Sequence, residues 1–571
     1  MSALDRFLPN TWIAYLSMEI AIRPEIPSYS GGLGILAGDA ARSAADLNLP
    51  MVFVTLASRE GYLRQSLDPE RGQAEQPDRW DPARLATPLP AMAAVEIEGR
   101  PVWIRPWLHV LESPTGGAVP VLLLDTDLAE NDAPARGITG PLYGGDDALR
   151  LQQEIVLGIG GERLLAALGF EISTYHLNEG HAALLPLALL RRHPMRSEPA
   201  MVPDLPYDRE RVLERCVFTT HTPVAAGTDQ FDYALVDRLL GDFIERPVLQ
   251  RLAGADRLNM TRLALNLSGF VNGVADRHRE TAERLFPGYP IRAITNGVHP
   301  TTWVHPALAR LYDRIGPHWR HEPELLVRAD TIDPSELRAA HAEAKAGLIA
   351  AVRDRAGVTL DPTRPTLVFA RRMTGYKRPM LVLEDPERLA RIAADLPFQL
   401  VFAGKAHPRD TEGKALIARI EAAAQRLAGR VSVAFLPGYD FALAKTLVAG
   451  ADLWLNTPLP PMEASGTSGM KAALNGVPSA SVLDGWWVEG CIEGVTGWAI
   501  GDPGRGPETH GAALLDKLEH TVLPLFHRDR DGWSQVMAAA IAKCGSVFTS
   551  HRMMRRYATE AYLNAAIRPF V

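Results

Sequence analysis

The segment Glu463-Ala-Ser-Gly-Thr-Ser-Gly-Met-Lys471 sets a run of small, flexible residues directly before a helical pattern that carries one lysine. Ser465, Gly466, Thr467, Ser468 and Gly469 can turn tightly and aim backbone N–H groups at an anion, whose charge the dipole of the following helix also favours. Asn475-Gly476 then closes the helix. Lysine carries information here because it is scarce: of 60 cationic residues only eight are lysine, and none precedes Lys345. A guanidinium stays protonated, whereas a lysine near a helix N-terminus and other cations can lose its proton and attack a carbonyl. The segment therefore reads as an anion cradle beside a reactive amine. A second cationic group, Arg371, Arg372, Lys377 and Arg378, could meet phosphate oxygens at several points.

The elements that must position these groups are plainest in the second half. Apolar runs at Thr366 to Ala370, Gln399 to Ala403, Val431 to Leu436, Asp452 to Asn456 and Ser479 to Leu483 alternate with helical patterns such as Ala415 to Leu427. Runs apolar on both faces imply a parallel sheet covered on both sides. Ligands of such sheets sit beyond the carboxyl ends of the strands. Arg371-Arg372, Lys405, Tyr439 and the 463–471 loop all follow strands closely and should converge on one crevice. The first half repeats the theme at Trp12 to Leu16, Met51 to Leu56, Val121 to Leu124, Ser173 to Leu177 and Val217 to Thr220. A hairpin is expected over Ala93 to Trp107, and the proline-rich stretch Pro194 to Pro206 reads as an insertion or surface loop. The break between halves falls near Asn296-Gly297, residues 307–360 are helix-rich, and a basic helix follows Ser550.

A length of 571 residues at 47% hydrophobic and 22% charged allows two or more cores and excludes a disordered chain. A net charge of −7 argues against bulk nucleic-acid or anionic-membrane binding, while leaving room for a phosphorylated small molecule. Cys216, Cys491 and Cys544 lie far apart without a CxxC pair, so neither a disulfide framework nor a zinc knuckle is indicated, and no metal is expected. The N-terminus lacks a basic region followed by an apolar core, and no window approaches a membrane span. A cytoplasmic location is expected.

Seven motifs in order carry a resemblance to a known family: Tyr15-Leu-Ser-Met-Glu19, Ser30-Gly-Gly-Leu-Gly34, His176-Leu-Asn-Glu-Gly-His181, Thr220-His-Thr222, Thr295-Asn-Gly297, Arg371-Arg-Met-Thr-Gly-Tyr-Lys377 and Glu463 to Lys471. With them the chain resembles the glycogen and α-glucan (maltodextrin) phosphorylases, pyridoxal-phosphate-dependent glycosyltransferases, and looks most like the short bacterial type. The resemblance implies an α/β chain with a GT-B fold, two Rossmann-like domains facing a central cleft. Residues 1–297 would be the glucan side, 298–547 the cofactor and phosphate side, and 548–571 a helix packing back on the first domain. It implies retaining phosphorolysis of terminal α-1,4-linked glucosyl units by orthophosphate to α-glucose 1-phosphate, with the cofactor phosphate shuttling a proton. Lys471 would hold pyridoxal 5'-phosphate, with Gly466, Thr467, Arg371 and Tyr439 beside it. Arg372, Lys377, His221 and Glu463 would be catalytic. Gly31 and Gly32 would form a second phosphate cradle, and Asn296, Tyr376 and Ser465 would meet the sugar, with Glu19, Asn178, Glu179 and His181 lining or bracing the cleft. The partners implied are an α-1,4-glucan and orthophosphate or glucose 1-phosphate, with no nucleic acid and no membrane; the chain could also form a homo-oligomer.

Taken singly, these signals have plainer explanations. His221 alone is an ordinary structural histidine, Asn296-Gly297 a turn, the 371–378 cations a solvated loop, and Trp486-Trp487 core packing. His407 and Asp410 make a weak metal signature. Two departures from the family pattern stand out: Arg371 where lysine is frequent, and Gly469 where asparagine is common. Two other classes compete, a GT-B synthase using a nucleotide sugar and a non-catalytic glucan-binding protein on the same scaffold. The amine at 471 with the Tyr376-Lys377 pair favours phosphorolysis over the first, and the intact charged set disfavours the second.

Overall fold

The computed structural model describes residues 3–68, 72–195, 205–224, 227–502 and 504–563. Its C-terminal sheet has six strands in the order Ser432–Leu436, Gln399–Ala403, Thr366–Ala370, Leu453–Asn456, Ser479–Val482 and Gly497–Ile500. All neighbouring pairs are parallel. Helices on both faces, among them Pro334–Ala356, Thr411–Leu427 and Phe441–Gly450, bury the strands, which is why they read as continuous apolar runs. The Asp410 and Asp440 carboxylates start two of these helices by accepting from the Gly413 and Leu443 N–H groups. The expected runs at 366–370 and 399–403 form strands over those same residues, and the other three are each one residue shorter. Gly497–Ile500 was not expected: a four-residue strand opening on glycine at the sheet edge shows no pattern.

The N-terminal sheet has a parallel core in the order Arg292–Ala293, Phe270–Gly273, Cys216–Thr219, Thr174–Asn178, Ile13–Leu16, Met51–Leu56 and Ala118–Asp125. Arg100–Glu112 extends it antiparallel to Ala118–Asp125, and pairs on its own account with Ala93–Ile97, so the expected hairpin is present. The two short strands at 270–273 and 292–293 were not expected. Part of the stretch 194–206 lies outside the described residues, as do residues 225–226 and the last eight of the C-terminal segment.

Each sheet reverses strand order once, between Ile13–Leu16 and Thr174–Asn178 in the first and between Thr366–Ala370 and Leu453–Asn456 in the second. Crevices beyond the strand ends form at such reversals. One cavity, of about 720 Å³, is lined by residues from both halves, including Gly31, His221, Asn296, Arg372 and Lys471. Among the described residues no helix is long and apolar enough to cross a membrane.

The chain passes between the sheets at 296–300 and again at 547–551, and the two crossings lie side by side. The Val298 N–H donates to the Phe548 carbonyl at 3.1 Å and the Ser550 N–H to the Val298 carbonyl at 2.9 Å. A Cβ on Gly297 would stand 2.1 Å from the Thr549 carbonyl carbon and oxygen. Behind the crossing, Tyr557 and Tyr562 pack into the N-terminal core, with the Tyr562 hydroxyl 2.6 Å from His176 Nδ1. Because the neighbour at Gly297 is backbone, no rotamer change relieves the clash. Gly297→Ala is expected to cost about 1–3 kcal/mol, read as a lower thermal unfolding midpoint; an unchanged midpoint would show that the crossings are not closely packed.

Candidate active site

At the reversal in the C-terminal sheet, Arg371 follows one central strand and Asn456 ends the other. Arg371 reaches across, donating to Asn456 Oδ1 and pairing with Glu463 Oε2 at 2.7 Å. Lys377 Nζ lies 2.6 Å from the same oxygen. Glu463 and Lys377 are 6% and 7% exposed, so this is a buried carboxylate shared by two cations. Burial raises the Glu463 pKa, but Arg371 and Lys377 outweigh it and bring the carboxyl down to about 2. Burial and Arg371 hold the Lys377 ammonium below the usual lysine range despite its carboxylate partner. The Glu463 N–H donates to Asp484 Oδ2 at 2.8 Å, and burial raises the Asp484 carboxyl to about 6. The arginine at 371 thus uses two guanidinium nitrogens on two partners, which a lysine could not do with the same geometry.

After Glu463 the chain turns at Gly466, whose φ of +87° lies in the left-handed region that glycine adopts freely, and enters the helix Thr467–Ala473. That first turn forms part of the cavity wall, so N–H groups without helical acceptors are offered there. Asn475 anchors the far end: its amide donates to the Lys471 and Trp303 carbonyls, and its Oδ1 accepts the His305 N–H. Lys471 is 7% exposed, lines the cavity and places Nζ 4.1 Å from the centre of the Trp303 ring. Burial lowers its pKa to about 8, against the pull of Asp39. A Cβ at Gly469 would fall 2.9 Å from the Trp486 ring, so in this chain an indole fills the space beside that position. Trp486 and Trp487 are both 1% exposed and pack edge-on at 5.1 Å, as core residues.

The opposite wall belongs to the N-terminal sheet. Gly31 precedes the helix Gly32–Asp46, and a Cβ there would come within 3.2 Å of the Arg372 guanidinium. Arg372 is exposed to the cavity. Glu19 does not line the cavity; its carboxylate accepts the Ser30 and Gly31 N–H groups and the Tyr143 hydroxyl, and so fixes the Gly31 turn from behind. Asn178, Glu179 and His181 also stand behind the wall. Glu179 Oε2 accepts the His221 N–H at 2.7 Å and the Thr222 hydroxyl at 3.1 Å, and Asn178 Oδ1 lies 2.6 Å from His221 Nε2. Glu179 holds a φ of +72°, and burial lifts its carboxyl to about 7. Burial brings His221 down to about 3, leaving a neutral ring in the cavity.

The cavity therefore brings together His221, Asn296, Gly31, Gly32, Arg371, Arg372, Tyr376, Lys377, Tyr439, Glu463, Ser465, Gly466, Thr467 and Lys471. Asn296 Oδ1 and Ser465 Oγ are buried without a protein partner, which is how a wall shaped for a polar ligand looks. Tyr29, Tyr62, Lys405 and Asp440 also line it. Tyr29 and Tyr62 carried no signal, since single tyrosines in loops are indistinguishable from packing residues before the fold is known. His407 and Asp410 do not form a metal site: Asp410 caps a helix and His407 Nδ1 accepts the Arg409 N–H. Elsewhere Asp46, His299 and His551 approach one another, but the Thr302 N–H points at His299 Nδ1. That places the His299 proton on Nε2, where it is donated to Asp46 at 2.8 Å.

Two α/β halves with parallel sheet cores meet at a cleft lined with cations, amides and a buried amine, the architecture of the GT-B fold class. Residues 218–495 match the carbohydrate phosphorylase family. The chain is 37% identical to a maltodextrin phosphorylase of Thermococcus litoralis, over 97% of this chain and 70% of that protein. It is 37% identical to a glycogen phosphorylase of Mycobacterium tuberculosis, over 97% and 71%, and 34% identical to one of Aquifex aeolicus, over 96% and 86%. The chain belongs to the carbohydrate phosphorylase family.

The Lys471 pKa has a defined consequence. The folded amine binds its proton less tightly than an ordinary lysine of pKa 10.5, so it costs stability in full below about pH 8, and the cost fades as pH rises toward 10.5. Over the same range the neutral, nucleophilic amine accumulates. Labelling of the protein by pyridoxal and borohydride should therefore rise between pH 7 and 9 with a midpoint near 8 at Lys471, tracked by peptide mass spectrometry. A midpoint above 10 would mean the amine is solvated.

Proposed function

We propose that the protein is a retaining α-glucan phosphorylase that transfers a terminal α-1,4-linked glucosyl unit to orthophosphate, giving α-glucose 1-phosphate. The observation that carries this reading is a buried amine of lowered pKa sharing one cavity wall with an exposed arginine and a helix N-terminus. Glycogen and maltodextrin phosphorylases among the relatives support it. Residues 1–297 then form the sugar side, 298–547 the cofactor and phosphate side, and the segment from 548 packs back on the first. The enzyme is assigned to the cytoplasm.

The residues fit pyridoxal phosphate. Lys471 offers the amine, the turn at Gly466 and Thr467 offers N–H groups, and Tyr439 and Arg371 complete the wall. When bound, that cofactor supplies a phosphate able to exchange a proton with substrate phosphate. This chain's own residues then have separable tasks. Arg372, with no carboxylate within ion-pair distance among the described residues, and the Gly31–Gly32 helix start attract the substrate anion. Arg371 and Lys377, sharing Glu463, keep positive charge where two phosphates must approach one another. His221, neutral at physiological pH, can present its ring or backbone carbonyl to the sugar without adding charge repulsion. Asn296 and Ser465 have unfilled hydrogen-bonding capacity for hydroxyls, and Tyr376 closes the pocket beside Lys377. Glu19, Asn178 and Glu179 hold these groups from behind, and His181 stands one layer further back facing Asp229.

Purified protein should absorb in the near ultraviolet, and borohydride reduction should leave a pyridoxyl adduct on Lys471. Lys471→Ala should remove both the chromophore and release of glucose 1-phosphate from maltodextrin. Full phosphorolysis by that variant would overturn the cofactor assignment, and turnover only with a nucleotide sugar would identify a synthase instead. Glu463→Gln, which leaves Arg371 and Lys377 without their shared carboxylate, should loosen the 465–469 loop and lower chromophore content and phosphorolysis together; full chromophore and unchanged kinetics would show that the ion pair does not hold the loop.

A further inference from the structure

An antiparallel hairpin, Arg64–Asp68 with Gly72–Gln76, leaves the N-terminal half and docks on the carboxyl ends of the C-terminal strands. Its contacts there come from side-chain amides. Gln65 Nε2 donates to the Gly404 carbonyl at 2.9 Å, and Gln65 Oε1 accepts the Gly438 N–H at 2.9 Å. Gln73 embraces one residue, donating to the Ala406 carbonyl and accepting the Ala406 N–H, each at 2.9 Å. The two glutamines are joined to each other at 2.8 Å and are 8% and 5% exposed. Lys405 Nζ donates to the Leu63 carbonyl at 2.8 Å, and Lys414 pairs with Glu75 at 2.7 Å. Unsatisfied buried amides are costly, so four satisfied backbone groups in one contact fix its register.

The segment gripped in this way is the floor under the anion-binding loop. The Arg371 N–H donates to the Ala403 carbonyl and the Met373 N–H to the Lys405 carbonyl, at 3.1 and 3.0 Å. A Cβ on Gly404 would lie 1.9 Å from the Arg371 carbonyl oxygen, so the two loops touch backbone to backbone. Arg372 sits between the two residues so held, and Gly438 precedes the cavity residue Tyr439. Among the described residues, the Lys471 helix receives none of the hairpin's hydrogen bonds.

We propose that Gln65 and Gln73 are positioning residues for orthophosphate, holding the 403–406 floor, and through it Arg371 and Arg372, in register with the Gly31 turn of the other half. Phosphate affinity is then set partly by the hairpin's hold on the floor; Arg64 and Gln65 also line the cavity whereas Gln73 does not, so Gln73→Leu reads the positioning effect by itself. The inference rests on the phosphorolysis reading, and its test separates the two. Gln65→Leu and Gln73→Leu holoenzymes are compared with wild type and with Ser66→Ala, on the hairpin's exposed face, for maltodextrin phosphorolysis, chromophore content and melting midpoint. The expected result is a tenfold or greater rise in KM for orthophosphate, with kcat and KM for maltodextrin within about twofold, the chromophore retained and Ser66→Ala unchanged. Hydrogen exchange should show faster Ala406 exchange in Gln73→Leu and faster Gly438 exchange in Gln65→Leu. An unchanged phosphate KM with faster exchange, or equal losses in every kinetic constant, would overturn the positioning role. If a variant fails to fold, Gln73→Glu, which keeps the Ala406 N–H acceptor and loses the donor, replaces it under the same criteria. No phosphorolysis by wild type would instead refute the underlying reading.

Discussion

The site depends on one carboxylate held between two buried cations. Glu463 comes from the loop after one central strand, while Arg371 and Lys377 come from the loop after its neighbour. A buried ion pair is retained only when geometry and further hydrogen bonds offset desolvation. Here Asn456 takes another Arg371 nitrogen and Asp484 takes the Glu463 N–H. The arrangement locks the two loops at the strand-order reversal, and the turn at Gly466 and the helix bearing Lys471 follow directly from the locked end.

The N-terminal half solves a related problem with carboxylates placed behind the wall. Glu19 gathers the N–H groups of the Gly31 turn, and Glu179 gathers those of Gly180 and His221. Each carboxyl group sits one layer away from the cavity and orients backbone or ring polarity toward it. On this side the cavity is met by the Gly31 and Gly32 turn and a neutral imidazole, so an incoming phosphate meets donors there and not the Glu19 and Glu179 groups that organise them.

These walls come from different sheets, and two sets of contacts stand out among those that fix their spacing. The crossings at 296–300 and 547–551 hydrogen-bond to each other at the base, where Gly297 allows contact with Thr549. At the rim the glutamine hairpin bonds the backbone of the opposite half. Asn296 belongs to one crossing and also lines the cavity, so the joint between the halves is part of the site.

The sequence by itself determined the parallel C-terminal sheet, because strands covered on both faces must be apolar throughout, and five of six were legible to within one residue. It also marked Lys471 as the candidate amine, since a lysine in an arginine-rich chain stands out, and pointed to the family, since seven motifs recur in order. Short strands such as Arg292–Ala293 and Gly497–Ile500 were illegible because their pairing depends on neighbours already in place, not on a local pattern. Tertiary structure alone decided that Glu19, Asn178 and Glu179 brace the wall without lining it, that Glu463 is shared by Arg371 and Lys377, and that Gln65 and Gln73 reach the other half. Burial and long-range hydrogen bonding assign those roles, and both depend on residues up to several hundred positions away in the chain.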